Sequence, residues 1–179
     1  RKFITRDQGR ERMEKIVHFL ETSDRFHGAW PHWWNGETGK VKPFGRKDNG
    51  GDLVETSFMI QGLLCVRQYF KDGNEQEKAL AAKIDKLWRA VEWDWYTNKK
   101  DVLYWHWSPK NQWAMNFAIG GYNECLITYV LAASSPTHSI KPEVYHKGWA
   151  RNDSIKSDRK YYDLETVLDH YESNDYPVG

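Results

Sequence analysis

The sequence predicts a mainly α fold built from helical hairpins, part of an α/α toroid with short aromatic β-hairpins gathered at its cleft end. Three observations predict it. Apolar residues recur at helical spacing in four long segments. Those segments alternate between helices apolar nearly all round and helices apolar along one stripe, as inner and outer layers require. Aromatic, strand-like or turn-rich stretches fall between the hairpins.

The first helix is expected over Asp7 to Ser23, where Met13, Ile16, Val17 and Leu20 recur between charges. An aromatic stretch follows from Phe26 to Phe44 (FHGAWPHWWNGETGKVKPF), with Asn35-Gly36 and Gly39 as hairpin signals. Asp48-Asn49-Gly50-Gly51 breaks that pattern, and a second helix runs from about Asp52 to Phe70. Its run LVETSFMIQGLLCVRQYF is apolar nearly all round, which predicts a buried inner helix. Lys71-Asp72-Gly73-Asn74 stops it. A third helix, about Glu75 to Tyr96, carries Leu80, Ile84, Leu87, Trp88, Val91 and Trp95 on one stripe and so is outer. Val102 to Trp107 alternates as a strand, with Trp105 and Trp107 on one face. A fourth, largely apolar helix is expected from about Tyr122 to Ala133, after Gly120-Gly121. A short helix near Glu143 to Trp149, a charged linker and an unassigned tail from Tyr161 complete the chain. Four helices are too few to close a toroid.

The 179 residues are read as one domain, 1–179. With 26 basic against 25 acidic residues and a net charge of +1, nothing favours nucleic acid or an anionic membrane as partner. No run of about 18 apolar residues suggests a membrane span. Cys65 and Cys125 fall inside apolar helical patterns and read as small buried hydrophobes. The histidines show no metal-ligand spacing, so no metal or other cofactor is expected.

The outlying number is the aromatic content, 15% of residues with 10 Trp. Trp88 and Trp95 on the outer helix are most simply core. Trp30, Trp33, Trp34, Trp105, Trp107 and Trp113 lie in strands or loops, where flat rings stack on the apolar faces of sugars or else pack loops down.

Acids stand where two inner helices begin. Asp52 and Glu55, in GGDLVETSFM, are three apart, so both can address one point. The same spacing is a capping box, which on spacing alone is the commoner explanation. Glu124, in IGGYNECLITYV, has an equally plain reading as a first-turn acid favoured by the helix dipole. Recurrence lifts both: each helix start follows a Gly-Gly pair and an aromatic segment. Glycoside hydrolysis needs two carboxyl groups flanking the scissile bond. Asp52 and Glu55 share one turn, so Glu124 is the acid that could face them.

The run RFHGAWPHWWNGETGKVKPFGRKDNGGDLVETSFMIQGLL, with LYWHWSP and W-x-M-N-F-A-I-G-G-Y-N-E, resembles the bacterial glycoamylase-like proteins grouped with glycoside hydrolase family 144. The likeness spans about Asp7 to Ser139. It implies an (α/α)6 toroid, of which this chain supplies the N-terminal half, and hydrolysis of β-linked glucan, β-1,2-linked, with inversion. It places the acids of the Gly-Gly-Asp-x-x-Glu motif on Asp52 and Glu55, and that of the Tyr-Asn-Glu motif on Glu124. Tyr122 and Asn123 become candidate substrate contacts beside the tryptophans. It also implies a bacterial periplasmic or cell-surface location and an oligo- or polysaccharide partner. The alternatives are α-glucan hydrolysis, as in a glucoamylase, and a non-catalytic carbohydrate-binding protein.

Overall fold

The computed structural model describes residues 3–121, 123–157 and 160–165. Four α-helices carry the fold: α1 (Arg6–Thr22), α2 (Leu53–Phe70), α3 (Glu75–Arg89) and α4 (Leu126–Ser134). Helix α2 packs against α3, its hairpin partner, and against α4, while α1 packs against α3. Helices α1 and α3 therefore form an outer layer, and α2 and α4 an inner one, as the alternating polarity predicts.

Each outer helix starts on a side-chain cap. Thr5 and Gln8 form a capping box for α1, and Asn74 and Glu77 form one for α3. Glu77 is also ion-paired with Arg6, tying the two starts together. Val17 and Leu20 of α1, and Leu80, Ile84, Leu87 and Trp88 of α3, are buried together on the stripe facing inward. Between the inner helices, the hydroxyls of Ser57 and Thr128 hydrogen-bond at 2.9 Å, so this contact carries no orphaned polar group.

Three two-stranded antiparallel ladders are described. Strands β1 (Gly51–Asp52) and β3 (His106–Trp107) pair with Gly51 opposite Trp107 and Asp52 opposite His106. Strands β2 (Leu103–Tyr104) and β4 (Ala118–Ile119) pair with Leu103 opposite Ile119. Strands β5 (Lys160–Tyr161) and β6 (Leu164–Glu165) form the third. The hairpin signal at Asn35-Gly36 is real. Trp34 and Val41 bridge, and Asn35 Oδ1 accepts from the backbone of Glu37 and Thr38 at 3.0 Å each.

Five expectations need correction. Helix α3 stops at Arg89 rather than Tyr96, because the chain turns there to bury Val91, Trp93 and Tyr96 completely. The expected strand Val102–Trp107 is two strands with different partners, broken at Trp105. Helix α4 begins at Leu126, after a turn. The short helix expected near Glu143 is a π-helical turn, Val144–Trp149, in which Ala150 N–H reaches Tyr145 O at 3.0 Å. Helix α2 is not buried all round: Phe58 is 39% and Tyr69 60% exposed, and Cys65 is exposed too. Arg6 lies over the Tyr69 ring at 4.4 Å, and Cys65 and Tyr69 line a shallow hollow with the start of α1. Cys125 is buried as expected, and both thiols are free. The unassigned tail falls on β5 and β6 up to residue 165, and beyond that lies outside the described residues.

Candidate active site

The ladder β1–β3 delivers Asp52 to the start of α2. Its side chain is fully buried, and every polar handle is occupied. Its N–H donates to Trp30 O at 2.8 Å. Oδ1 accepts from Glu55 N–H at 2.9 Å, capping the helix. Oδ2 lies 2.8 Å from His32 Nδ1, which donates to it. This arrangement is half of a capping box. In a full capping box Glu55 would reach back to the N–H of Asp52. That N–H is already committed to Trp30, so Asp52 caps and the exposed carboxylate of Glu55 is left for the cleft.

Glu124 comes from a different helix start. It sits in the turn before α4 and is exposed. The backbone there is held by Asn123, whose Oδ1 accepts from Cys125 N–H at 3.0 Å. Tyr129, one turn into α4, clamps the preceding ladder. Its hydroxyl donates to Ile119 O at 2.6 Å and accepts from Leu103 N–H at 3.0 Å.

Asp52, Glu55 and Glu124 all line one cleft of about 330 Å³, together with His32, Asn123, Trp105, Phe117 and the backbone at Ala118 to Gly120. The electrostatics agree. Burial pushes the Cys125 thiol up to about 12, and the charges of Glu124, Asp52 and Glu55 all add to the rise. Trp105 forms an aromatic wall, its ring edge-on to Phe117 at 5.9 Å between centroids. Its carbonyl accepts from Leu53 N–H and its N–H donates to Phe117 O, so the wall is stitched to α2 and to the β4 segment.

The other predicted tryptophans separate. Trp33 is 48% exposed and meets Phe44 edge-on at 4.7 Å, beside the cleft-lining His32. Trp30 is 1% exposed and donates its indole N–H to Leu20 O at 3.1 Å; it belongs to the core and not to the cleft. Trp34 packs edge-on against Phe19 of α1. Trp107 packs against His27 and Trp95, and Trp113 lines a separate hollow with Trp95. Tyr122 lies outside the described residues.

Three residues here were not singled out in the sequence: His32, Asp48 and His106. His32, Asp48 and Asp52 bring one ligand-type atom each within 4.8 Å of one another, a grouping that sequence spacing does not announce. Asp48 is 4% exposed, and its Oδ2 has no hydrogen-bond partner among the described residues. Burial first, and then the charge of Asp52, hold the Asp48 carboxyl above its ordinary value. His106 Nε2 accepts from Gly50 N–H at 3.0 Å and lies 3.4 Å from Asp48 Oδ1. Burial pulls His106 below its ordinary pKa. The signal that could have found Asp48 is a second acid four residues before Asp52, across the glycine pair, in D-N-G-G-D.

Comparison with known proteins meets this geometry. Residues 116–176 match the Glycoamylase family, described as "Putative glucoamylase". The chain is 55% identical, over 153 residues, to an exo β-1,2-glucooligosaccharide sophorohydrolase (non-reducing end) of Parabacteroides distasonis, covering 84% of this chain and 21% of that protein. It superimposes on an endo-β-1,2-glucanase from Chitinophaga pinensis, solved with sophorotriose and glucose, with a TM-score of 0.93 and 66% identity. That match covers 98% of this chain and 41% of the other. A β-1,2-glucanase from Parabacteroides distasonis gives a TM-score of 0.89 at 45% identity, covering 93% of this chain and 27% of that one. The chain thus spans about two fifths or less of these relatives. On fold and identity alike, the chain is similar to these β-1,2-glucanases over the part of their length that it spans.

Proposed function

We propose that the protein is a glycoside hydrolase acting on β-1,2-linked glucan, with Glu124 on one wall of the cleft and the Asp52/Glu55 pair on the other. The observation that carries this reading is the convergence of three carboxylates from two separate helix starts on one aromatic-walled cleft. Inverting hydrolysis needs one carboxyl group to protonate the leaving oxygen. A second, across the sugar, activates a water on the opposite face. Asp52 is fixed through both oxygens, whereas Glu55 and Glu124 are exposed and uncommitted to caps. Trp105 offers a flat ring for the sugar between them, and Trp33 with Phe44 extends an apolar rim past His32. The names of the relatives support the β-1,2 linkage over an α-glucan.

The test is digestion of linear β-1,2-glucan, laminarin and soluble starch by the longest polypeptide carrying this sequence, beside its Glu124→Gln and Asp52→Asn variants. Sugar release from β-1,2-glucan, lost in both variants, is expected. Unchanged turnover in both variants would sink the site, and release from starch alone would sink the linkage.

A further inference from the structure

We propose that the hollow formed by Trp95 and Trp113 is a second, non-catalytic binding site for a gluco-oligosaccharide chain. It adjoins the ladder that carries Asp52, through the contact of Trp95 with Trp107. The proposal extends the glucan reading of the cleft to a surface that the cleft does not include.

The aromatic floor is built in layers. His27 lies flat against Trp95, 3.7 Å between centroids and 14° between planes, and Trp107 meets its edge at 5.8 Å. Trp113 lies beside Trp95 at 6.3 Å, tilted by 31°. Trp113 is itself wedged edge-on between Tyr96 and Tyr104, so neither indole is free to collapse onto the other. Trp95 nevertheless keeps 39% of its surface open. Supported rings that remain open are what stacking on a pyranose face requires.

The rim is polar and already ordered. Glu92 is held by His27 at 2.8 Å, and Asp94 by His138 at 3.1 Å. Glu92, Asp94, Asn98, Lys99 and His138 all line the hollow, whose volume is about 500 Å³. Carboxylates, an amide, an ammonium and an imidazole around an aromatic floor suit a neutral polyhydroxyl ligand. An anion would meet the two carboxylates, and a purely apolar ligand would take the Asn98 amide and the Lys99 ammonium out of water with nothing in return. Asn98 and Lys99 both hold left-handed backbone, φ 49° and 60°, a conformation that costs non-glycine residues energy and here turns them toward the hollow's edge.

The hollow is mechanically joined to the cleft. Trp107 touches Trp95 and pairs with Gly51, whose neighbour Asp52 lines the cleft. The segment carrying Trp113 continues into Phe117, which walls it. A polymer held at the hollow is therefore kept close to the catalytic end.

The experiment is a titration of the Glu124→Gln protein with sophorose and longer β-1,2-linked gluco-oligosaccharides, followed by NMR of the tryptophan indole N–H signals. Two classes of signals should respond, one abolished by Trp105→Ala and the other by Trp113→Ala. Because Trp113 also packs a loop, Asn98→Gly is run in parallel. It keeps the left-handed turn and removes the amide, and should weaken the second class by about fivefold, the worth of one hydrogen bond. A single class lost wholly with Trp105→Ala, or a second class indifferent to both Trp113→Ala and Asn98→Gly, overturns the proposal. Failure of the cleft reading looks different: glucan hydrolysis is absent while the Trp113-dependent class persists.

Discussion

The starts of α2 and α4 look alike in sequence and are built differently. Both follow a Gly-Gly pair whose first glycine lets two backbones touch. A Cβ on Gly50 would lie 2.2 Å from Trp107 O, and one on Gly120 2.6 Å from Gly148 O. Past that point they diverge. Asp52 is fully buried, caps its helix and is gripped by His32. Glu124 is exposed, in a turn, ahead of a helix that has no side-chain cap on its own N-cap residue. The cleft thus has one wall set by the fold and one set by a short turn. An acid that holds up its helix and an acid that does not should respond differently to the same substitution.

The largest expected effect is on turnover at Glu124. If Glu124 transfers a proton as proposed, Glu124→Gln removes a group that the fold does not use, so turnover should fall by roughly 10²–10⁴-fold. The thermal midpoint should stay put, because exposed substitutions away from caps and cores usually cost under about 0.5 kcal/mol. A Glu124→Gln protein that melts early would mean the acid is structural, and the contrast between the walls would fail.

Asp52→Ala should lose stability as well as activity. The cap contributes about 1 kcal/mol, and leaving His32 without its buried acceptor costs about another 1–3 kcal/mol. A loss of roughly 2–4 kcal/mol in denaturant unfolding is the expected reading, against near zero for Glu124→Gln. Asp52→Asn keeps an oxygen for the Glu55 amide and should recover the cap's share but not the activity.

Asp48 sharpens the comparison through pH. Its folded-state pKa is raised, so the folded chain binds that proton more tightly than the unfolded one. The contribution to stability is greatest at low pH and is lost as pH rises from the ordinary 3.8 through the raised value. Asp48→Asn abolishes that dependence. Its stability relative to the parent should therefore be higher at pH 7 than at pH 4, measured by thermal melts at both. A constant difference across that window would mean that Asp48 does not titrate there.

The sequence made the helices legible because their periodicity reports burial, and burial in two layers is what α1 to α4 do. It also brought out Asp52, Glu55 and Glu124, through recurrence after Gly-Gly and through family resemblance. What stayed hidden depended on hydrogen bonds between distant segments. Nothing in PHWW announces that His32 will hold Asp52, and nothing local reveals that the N–H of Asp52 goes to Trp30. Composition could count the tryptophans but could not sort them. Trp30 went to the core, Trp105 to the cleft, and Trp107 and Trp113 to the other side of the ladder, according to strand breaks at Trp105 and at the end of α3. Those breaks are set by tertiary pairing, which overrides the local alternation over Val102 to Trp107.

The smallest effect tests whether the less-restrained wall is nonetheless aimed. Asn123 holds the Glu124 turn through Cys125 N–H at 3.0 Å and, more weakly, through Gly120 O at 3.5 Å, a carbonyl that also accepts from Arg151 at 3.1 Å. Asn123→Ala removes one good and one long hydrogen bond, both partly exposed, the good one worth about 0.5–1.5 kcal/mol, so the melt should shift by only a few degrees. If that bond aims Glu124, kcat should fall several-fold more than stability would suggest, since a misplaced catalytic group loses rate before it loses fold. Asn123→Asp keeps the accepting oxygen and should restore most of the aim. Equal, small losses in both variants would instead show that the turn is held by Gly121 N–H on Trp149 O and by the Tyr129 clamp. In that case the second wall is as fixed by the fold as the first.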